Sequence, residues 1–383
     1  MYYITLPASP HEKQITIDEF LAGDFSFESI NRRDIPYTRT IRSEEIPFKV
    51  RAKTHVYSMI RALEHIAEMT KEFDLNHMEK YYKHYEIPKK SGGKRPIDEP
   101  VESLKSSLKL LRHCLEYDCA AKWHTSAYAY VPGRGTKDER LYHANRGSRW
   151  FEYLDFHNFF GSFTYEYAWK TITQLYPFCM IIEHENGKAA LEHCLKLCFL
   201  KGGLPQGTPI SPMLTNLLMI PFDFEMSRNL AHNYGEKRFY YTRYADDICI
   251  SCSKDFNPKE IEKSVLSMLR DLGAPFELNT KKTHYCSFAG HNFHLGLIYN
   301  ANKEVTIGWK KKDEIKAMLT NWALDTKNGH ARSVHDAQVV LGQFNYFRQQ
   351  EKEYADYVIS HLSEKYGIDI EHALLAKIKE AEA

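Results

Sequence analysis

The chain has 383 residues, of which 43% are apolar and 26% charged, and its formal net charge is +1. A chain of this size and apolar content buries a substantial core and divides into two or three subdomains, which excludes a disordered or fibrous protein. No apolar run reaches the ~18 residues of a membrane-spanning helix, the start Met1-Tyr2-Tyr3-Ile4-Thr5 lacks a signal-peptide pattern, and eight cysteines in this length are not a disulfide framework. A cytoplasmic protein with reduced, buried thiols is the expectation.

Residues 1–55 carry few periodic signals and read as an N-terminal extension. Val56, Ile60, Leu63 and Ala67 recur at helical spacing and predict a helix. Between 80 and 95 six Lys or Arg stand against Glu86 alone, and Gly92-Gly93 within that run is a turn signal. Lys94 and Arg95 leave this turn as a point charge and a planar fork, both suited to phosphate oxygens. A second helix is expected over Val101–Tyr117, and Tyr128–Thr136 reads as a strand end and turn around Pro132-Gly133-Arg134-Gly135.

Phe151–Leu154 is strand-like and ends in an isolated Asp155 followed by aromatics. Gly203-Leu204-Pro205-Gln206-Gly207 opens a Gly/Pro-rich loop that runs into a helix, with Ser211 as N-cap and Pro212 as first helical residue. Tyr244-Ala245-Asp246-Asp247 lies between two β-prone runs, 239–243 and 248–251, so two adjacent carboxylates sit at the bend of a hairpin. Adjacent carboxylates repel, and a hard, oxygen-ligated cation such as Mg²⁺ relieves that repulsion. Alone, the pattern fits a polar turn equally well. Cys249 and Cys252, three apart on a strand, point to opposite faces and read as core. Leu278-Asn279-Thr280-Lys281-Lys282-Thr283 is placed to carry a lysine toward phosphate. His284, Cys286, His291 and His294 have metal-like composition but lack a second cysteine. Lys310-Lys311-Lys312 opens another basic patch, and residues 310–365 are expected to be helical throughout, with Leu319, Trp322, Leu341, Phe344 and Phe347 on the apolar faces.

Taken in order, the segments at Asp155, at the Leu-Pro-Gln-Gly loop, at Tyr-Ala-Asp-Asp and at Lys282 resemble motifs A, B, C and D of reverse transcriptases, and in length and style the chain is similar to the bacterial retron and defence-associated branch. The resemblance implies an α/β (α+β) right-hand polymerase. Fingers would span 56–150, a palm with a small antiparallel sheet 151–300, and a helical thumb and tail 301–383. It implies RNA-directed DNA synthesis by two-metal phosphoryl transfer, with Asp155, Asp246 and Asp247 holding two Mg²⁺ ions, or Mn²⁺ in their place. Phe160, five positions after Asp155, matches the steric gate against a ribose 2′-OH. Phe156, Gln206, Gly207 and Lys282 fall at the dNTP together with Lys94 and Arg95. Arg134, Tyr244, Ala245, Lys310, Lys311 and Lys312 fall along the nucleic acid. With net charge near zero, nucleic acid would be gripped by such local basic patches, in a salt-sensitive manner.

The implied partners are dNTPs, the DNA product, a structured non-coding RNA as template and primer, and a separate effector protein in antiviral defence, with an oligomer left open. Two signatures depart from retrons. Glu139-Arg140-Leu141-Tyr142-His143 keeps only the histidine of Asn-Ala-x-x-His, and His294-Leu295-Gly296 keeps only the glycine of Val-Thr-Gly. The expectation is therefore the broader defence-associated group. Other readings stay open: an RNA-dependent RNA polymerase, against which Phe160 argues; a protein-primed or template-independent DNA polymerase; and an RNA-binding scaffold that restrains a toxic effector.

Overall fold

The computed structural model describes residues 48–88, 92–118, 123–232, 237–290 and 292–380, with two-residue pieces at 3–4 and 15–16. The expected extension over 1–55 lies almost wholly outside the described residues, as do Lys89, Lys90 and His291. The chain forms two compact units, one of residues 1–134 with 152–285 and one of residues 135–151 with 286–383.

In the first unit, helix α1 (Phe48–Met69) buries Val56, Met59, Ile60, Leu63 and Ile66 on one stripe and packs against helix α5 (Glu185–Lys196). Each such side chain contributes roughly 1.5–3 kcal/mol of transfer free energy, an upper estimate that makes this pair a main support of the unit. Strands β1 (Tyr82–Pro88) and β2 (Lys94–Pro100) form an antiparallel hairpin in register from Tyr82↔Pro100 to Pro88↔Lys94. Its side chains are mostly exposed, and Gly92 and Gly93 near its tip take positive φ, +85° and +79°, which L side chains rarely adopt. Helix α2 (Glu102–His113) follows and buries Leu104, Leu108 and Leu111 at i, i+4 and i+7.

The described residues also form a four-stranded sheet. Strand β3 (Trp150–Asp155) lies between β5 (Asp247–Cys252) and β6 (His284–Ser287), and β4 (Phe239–Tyr244) pairs with the far side of β5. β5 is buried from Ile248 to Cys252, so Cys249 and Cys252 are core as expected. Helices α4 (Tyr165–Ile172), α6 (Ser211–Leu218), α7 (Ile220–His232) and α8 (Pro258–Leu272) complete the unit, with α7 against β4 and against α8. Helix α6 starts one residue earlier than its sequence implied. Ser211 is already helical, and the Oγ of Thr208 accepts from the Ser211 N–H, so the threonine caps a turn that Ser211 was expected to cap.

In the second unit, helix α3 (Thr136–Ala144) precedes β7 (Ile298–Tyr299) and β8 (Val305–Thr306), which pair with each other, and helices α9 (Trp309–Lys327), α10 (Val334–Gln350), α11 (Lys352–Tyr366) and α12 (Ile370–Lys379). The expected continuous helix over 310–365 is broken at residues 328–333 and at Glu351. Ser333 caps α10 in a reciprocal box with Asp336, and the Glu351 carboxylate accepts from the Thr306 hydroxyl and the Ile307 N–H, so each break satisfies backbone or side-chain groups that a through-going helix would leave unpaired. Arg348 ties three of these helices through Asp356 and a two-pronged pair with Glu371. Among the described residues no helix is long and apolar enough to cross a membrane.

Candidate active site

The β4–β5 hairpin closes in two residues. Tyr244 pairs with Asp247, leaving Ala245 and Asp246 as the loop. Ala245 has φ +58° while Asp246 is not in the left-handed region, the pattern of a turn that favours glycine at its first central position. An alanine held there is strained, and strain of this kind persists only where the surroundings over-determine it.

Those surroundings are visible. Arg243, with 0% side-chain exposure, donates Nη1 to the Ala245 carbonyl at 3.1 Å and to Asn216 Oδ1 at 3.2 Å. Its Nε and Nη2 grip the equally buried Asp223 at 2.8 and 2.7 Å, and the Tyr241 hydroxyl donates to the same Asp223 at 2.6 Å. The Arg243 backbone is also held: its N–H donates to Ser126 O and its carbonyl accepts from the Tyr128 N–H. None of Arg243, Asp223 and Asn216 was singled out from sequence; an arginine inside an apolar strand one residue before the turn was the available signal.

Asp155 ends β3 and is 3% exposed. The next residue's N–H, Phe156 N, donates to Asp246 O at 3.2 Å, so the strand end and the hairpin turn are joined backbone to backbone. Lys282 Nζ donates to Asp155 Oδ2 at 2.7 Å and Asn279 Nδ2 to Oδ1 at 3.0 Å. Burial pushes the Asp246 carboxyl above the usual carboxylate range; the Asp155 charge adds to this, while its own backbone N–H, Lys282 and Arg95 act against it. Partial burial by itself would lower the Lys282 ammonium. The hydrogen bond and charge of Asp155, reinforced by Asp246 and Asp247, outweigh that and raise it. Lys282 thus bonds Asp155 and feels the charges of Asp246 and Asp247, and carboxylate oxygens are the donor type that a hard divalent cation takes.

The Leu-Pro-Gln-Gly loop is strapped on both sides. Leu204 N–H donates to Phe160 O at 3.1 Å, and Gly203 lies so close to Gly161 that an added Cβ would meet its carbonyl at 2.7 Å. On the other side Asp98 N–H donates to Gln206 O at 2.7 Å, and Gly207, at φ +118°, faces Ile97 and Asp98 of β2. Half-buried Phe160 and Gln206 are therefore each held through a backbone carbonyl, Phe160 by the loop and Gln206 by the strand that carries Lys94 and Arg95. Lys94 pairs with Glu86 at 2.7 Å on the exposed hairpin.

Three expected contacts are corrected. Phe156 was placed at the dNTP, but its ring is 2% exposed and packs among Phe159, Phe222 and Phe276, because its side chain points to the opposite sheet face from Asp155. Ala245, placed on nucleic acid, is 5% exposed and serves the turn through its backbone. Arg134, placed at a phosphate, turns Nη1 onto the carbonyls of His124, Thr125 and Ala127 and locks its own loop. Tyr130 was not named from sequence. It is exposed, held at φ +60°, and within electrostatic reach of Asp246 and Arg95.

Lys310 is exposed on the first turn of α9; Lys311 pairs with Glu314 at 3.2 Å and Lys312 with Glu351 at 2.5 Å. With no acidic residue in that turn, the helix's positive end adds to the lysines. Of the metal-like set, His291 lies outside the described residues, and the other three do not come together as a site: His284 lies on the Tyr153 ring, burial raises the Cys286 thiol to about 11, and His294 is buried beside Glu139.

The family described as reverse transcriptase (RNA-dependent DNA polymerase) matches residues 87–322. The chain belongs to this family and is an RNA-directed DNA polymerase. It is 30% identical over 245 residues to the retron Ec73 reverse transcriptase of Escherichia coli, covering 62% of this chain and 75% of that one. It is 28% identical over 297 residues to the retron Ec83 enzyme of the same organism, covering 75% and 87%. Over 193 residues it is 31% identical to the retron Mx162 reverse transcriptase of Myxococcus xanthus, covering 47% and 37%. Retron enzymes are thus nearer than the two altered signatures implied. Telomerase from Candida tropicalis gives a TM-score of 0.43 at 13% identity, covering 76% of this chain and 62% of that one, too low to add weight.

Proposed function

We propose that Asp155, Asp246 and Asp247 hold the divalent cations of a reverse transcriptase that copies a dedicated structured non-coding RNA into DNA. The observation that carries this reading is the junction of the β3 end with the hairpin turn, which brings the three carboxylates within reach of one lysine. Two Mg²⁺ ions there, with Mn²⁺ as substitute, would lower the pKa of a primer 3′-OH and stabilise the leaving pyrophosphate.

The chain's own residues do the rest by positioning and charge, as phosphoryl transfer requires. Phe160, braced by the Leu204 N–H on its carbonyl, presents a bulky wall to the sugar and excludes a 2′-OH by volume. Gln206, anchored through its own carbonyl to β2, lies against the incoming nucleotide. Lys94 and Arg95 reach for the triphosphate from the exposed hairpin, and Lys282 supplies a mobile positive charge beside Asp155. In hand terms, the first unit supplies fingers and palm and helices α9–α12 the thumb, with Lys310 as its open contact to backbone phosphate.

RNA of this kind is recognised by shape and 2′-OH contacts. The antiviral role, with a separate effector protein, rests on resemblance to retron and defence-associated enzymes. The test is to purify the protein from cells carrying its native genetic surroundings and to sequence the nucleic acid that accompanies it. A discrete RNA with complementary DNA is expected. Protein-linked or repetitive DNA with no matching RNA would overturn the template reading, and full extension with rNTPs alone would overturn the role of Phe160.

A further inference from the structure

Asn279 is bound to Asp155 at two levels. Its backbone N–H donates to the Asp155 carbonyl at 2.7 Å, continuing the antiparallel bridge between Phe156 and Leu278, and its side chain donates to the Asp155 carboxylate at 3.0 Å. Its own carbonyl accepts from Lys282 N–H at 3.0 Å and Thr283 N–H at 3.2 Å, which shapes the turn that delivers Lys282 to the other carboxylate oxygen. A carboxylate only accepts, so the amide must present its NH₂ to Oδ1, and the orientation of the side chain is determined.

We infer that Asn279 is a positioning residue for the metal-binding carboxylate: it pins Oδ1 of Asp155 and so fixes the direction in which Oδ2 is offered to a cation. The inference rests on the proposed role of Asp155. Asparagine suits the task because it orients without neutralising. A second lysine would cancel the charge a cation needs, an aspartate would repel Asp155, and a glutamine would overshoot a donor site already at hydrogen-bond distance. Lys282 is different in kind: 61% exposed, it holds Oδ2 by charge and leaves it when a stronger cation competes, whereas Asn279 is tied down on both its backbone and its side chain. Partners behind metal-ligating carboxylates typically set metal affinity or activity by 10–100-fold, so this is about the effect expected here.

The test uses the full chain with Asn279→Ala and with Asn279→Leu, which keeps the branched shape and removes the donor. Two readouts are taken across a Mg²⁺ titration: the Mg²⁺-induced rise in melting temperature without nucleic acid, and the rate of dNTP incorporation on a primed RNA template. Both variants should melt near the wild-type temperature without metal, because Asn279 is only half-buried. Both should need about 10–100-fold more Mg²⁺ to reach half effect, with the rate largely recovered at saturation. An unchanged Mg²⁺ requirement overturns the inference, as does loss of the metal-free melting transition in both variants, which would make Asn279 a folding residue. If the wild type incorporates no dNTP, the proposed function fails while the melting titration still decides the role of Asn279.

Discussion

The protein contains two hairpins of similar strand length built on opposite plans. The β4–β5 hairpin is buried, closes on a strained two-residue turn and is held from behind by the Arg243–Asp223–Asn216 network. The β1–β2 hairpin is mostly exposed, with two positive-φ glycines near its tip and a surface ion pair at Lys94. On the proposed function, the carboxylates that hold cations sit on the first and the cations that follow a polyphosphate on the second. Rigidity would then be concentrated where geometry enters the chemistry, and freedom where a substrate must enter and leave.

This contrast breaks first at Arg243. Arg243→Ala leaves Asp223 charged, fully buried and without its guanidinium, and should destabilise the protein by about 3–5 kcal/mol in urea unfolding. A loss below about 1 kcal/mol, the range of an exposed pair, would mean the network does not brace the turn.

A second test concerns the same sheet. Glu152 on β3 is 0% exposed, and among the described residues neither carboxylate oxygen has a hydrogen-bond partner. Burial, with the charge of Glu262 added, raises its pKa from 4.5 to about 8. Below the ordinary value both folded and unfolded chains hold the proton, and this burial carries no charge penalty. As pH rises the unfolded chain ionises first, so stability falls across the window from 4.5 to about 8. Glu152→Gln should remove that slope, which costs the wild type on the order of 4 kcal/mol by pH 8. Parallel stability–pH curves for the two proteins would show that Glu152 is not held neutral.

The smallest effect belongs to the open hairpin. Lys94→Ala should leave stability within about 0.5 kcal/mol of wild type, since it removes only an exposed pair. Steady-state kinetics should show the dNTP KM rising about fivefold, equivalent to one charge contact of about 1 kcal/mol. Destabilisation as large as that of Arg243→Ala would erase the distinction between the two hairpins.

What could be read in the sequence was local. Two β-prone runs flanking Tyr-Ala-Asp-Asp marked the hairpin, and helical spacing from Val56 marked α1, because residue type and side-chain period are coupled to backbone geometry within one element. What could not be read was carried by pairs far apart in the chain. Asn279 meets Asp155 across 124 positions, Arg243 meets Asp223 across 20, and nothing in either segment names its partner. Phe156 was misplaced for a related reason: proximity to a catalytic residue in sequence assigned it a ligand, whereas the alternation of β3 turned it into the aromatic core. The cap at Thr208 escaped because Ser211 offered the same chemistry three residues later.

We propose that Asp155 and the hairpin turn form the catalytic metal site. Its most direct test is dNTP incorporation on a primed RNA template by the Asp246→Ala/Asp247→Ala protein, with melting used to confirm that it is folded. A folded protein that extends no primer at any Mg²⁺ concentration is expected. Extension at a rate comparable to wild type would contradict it.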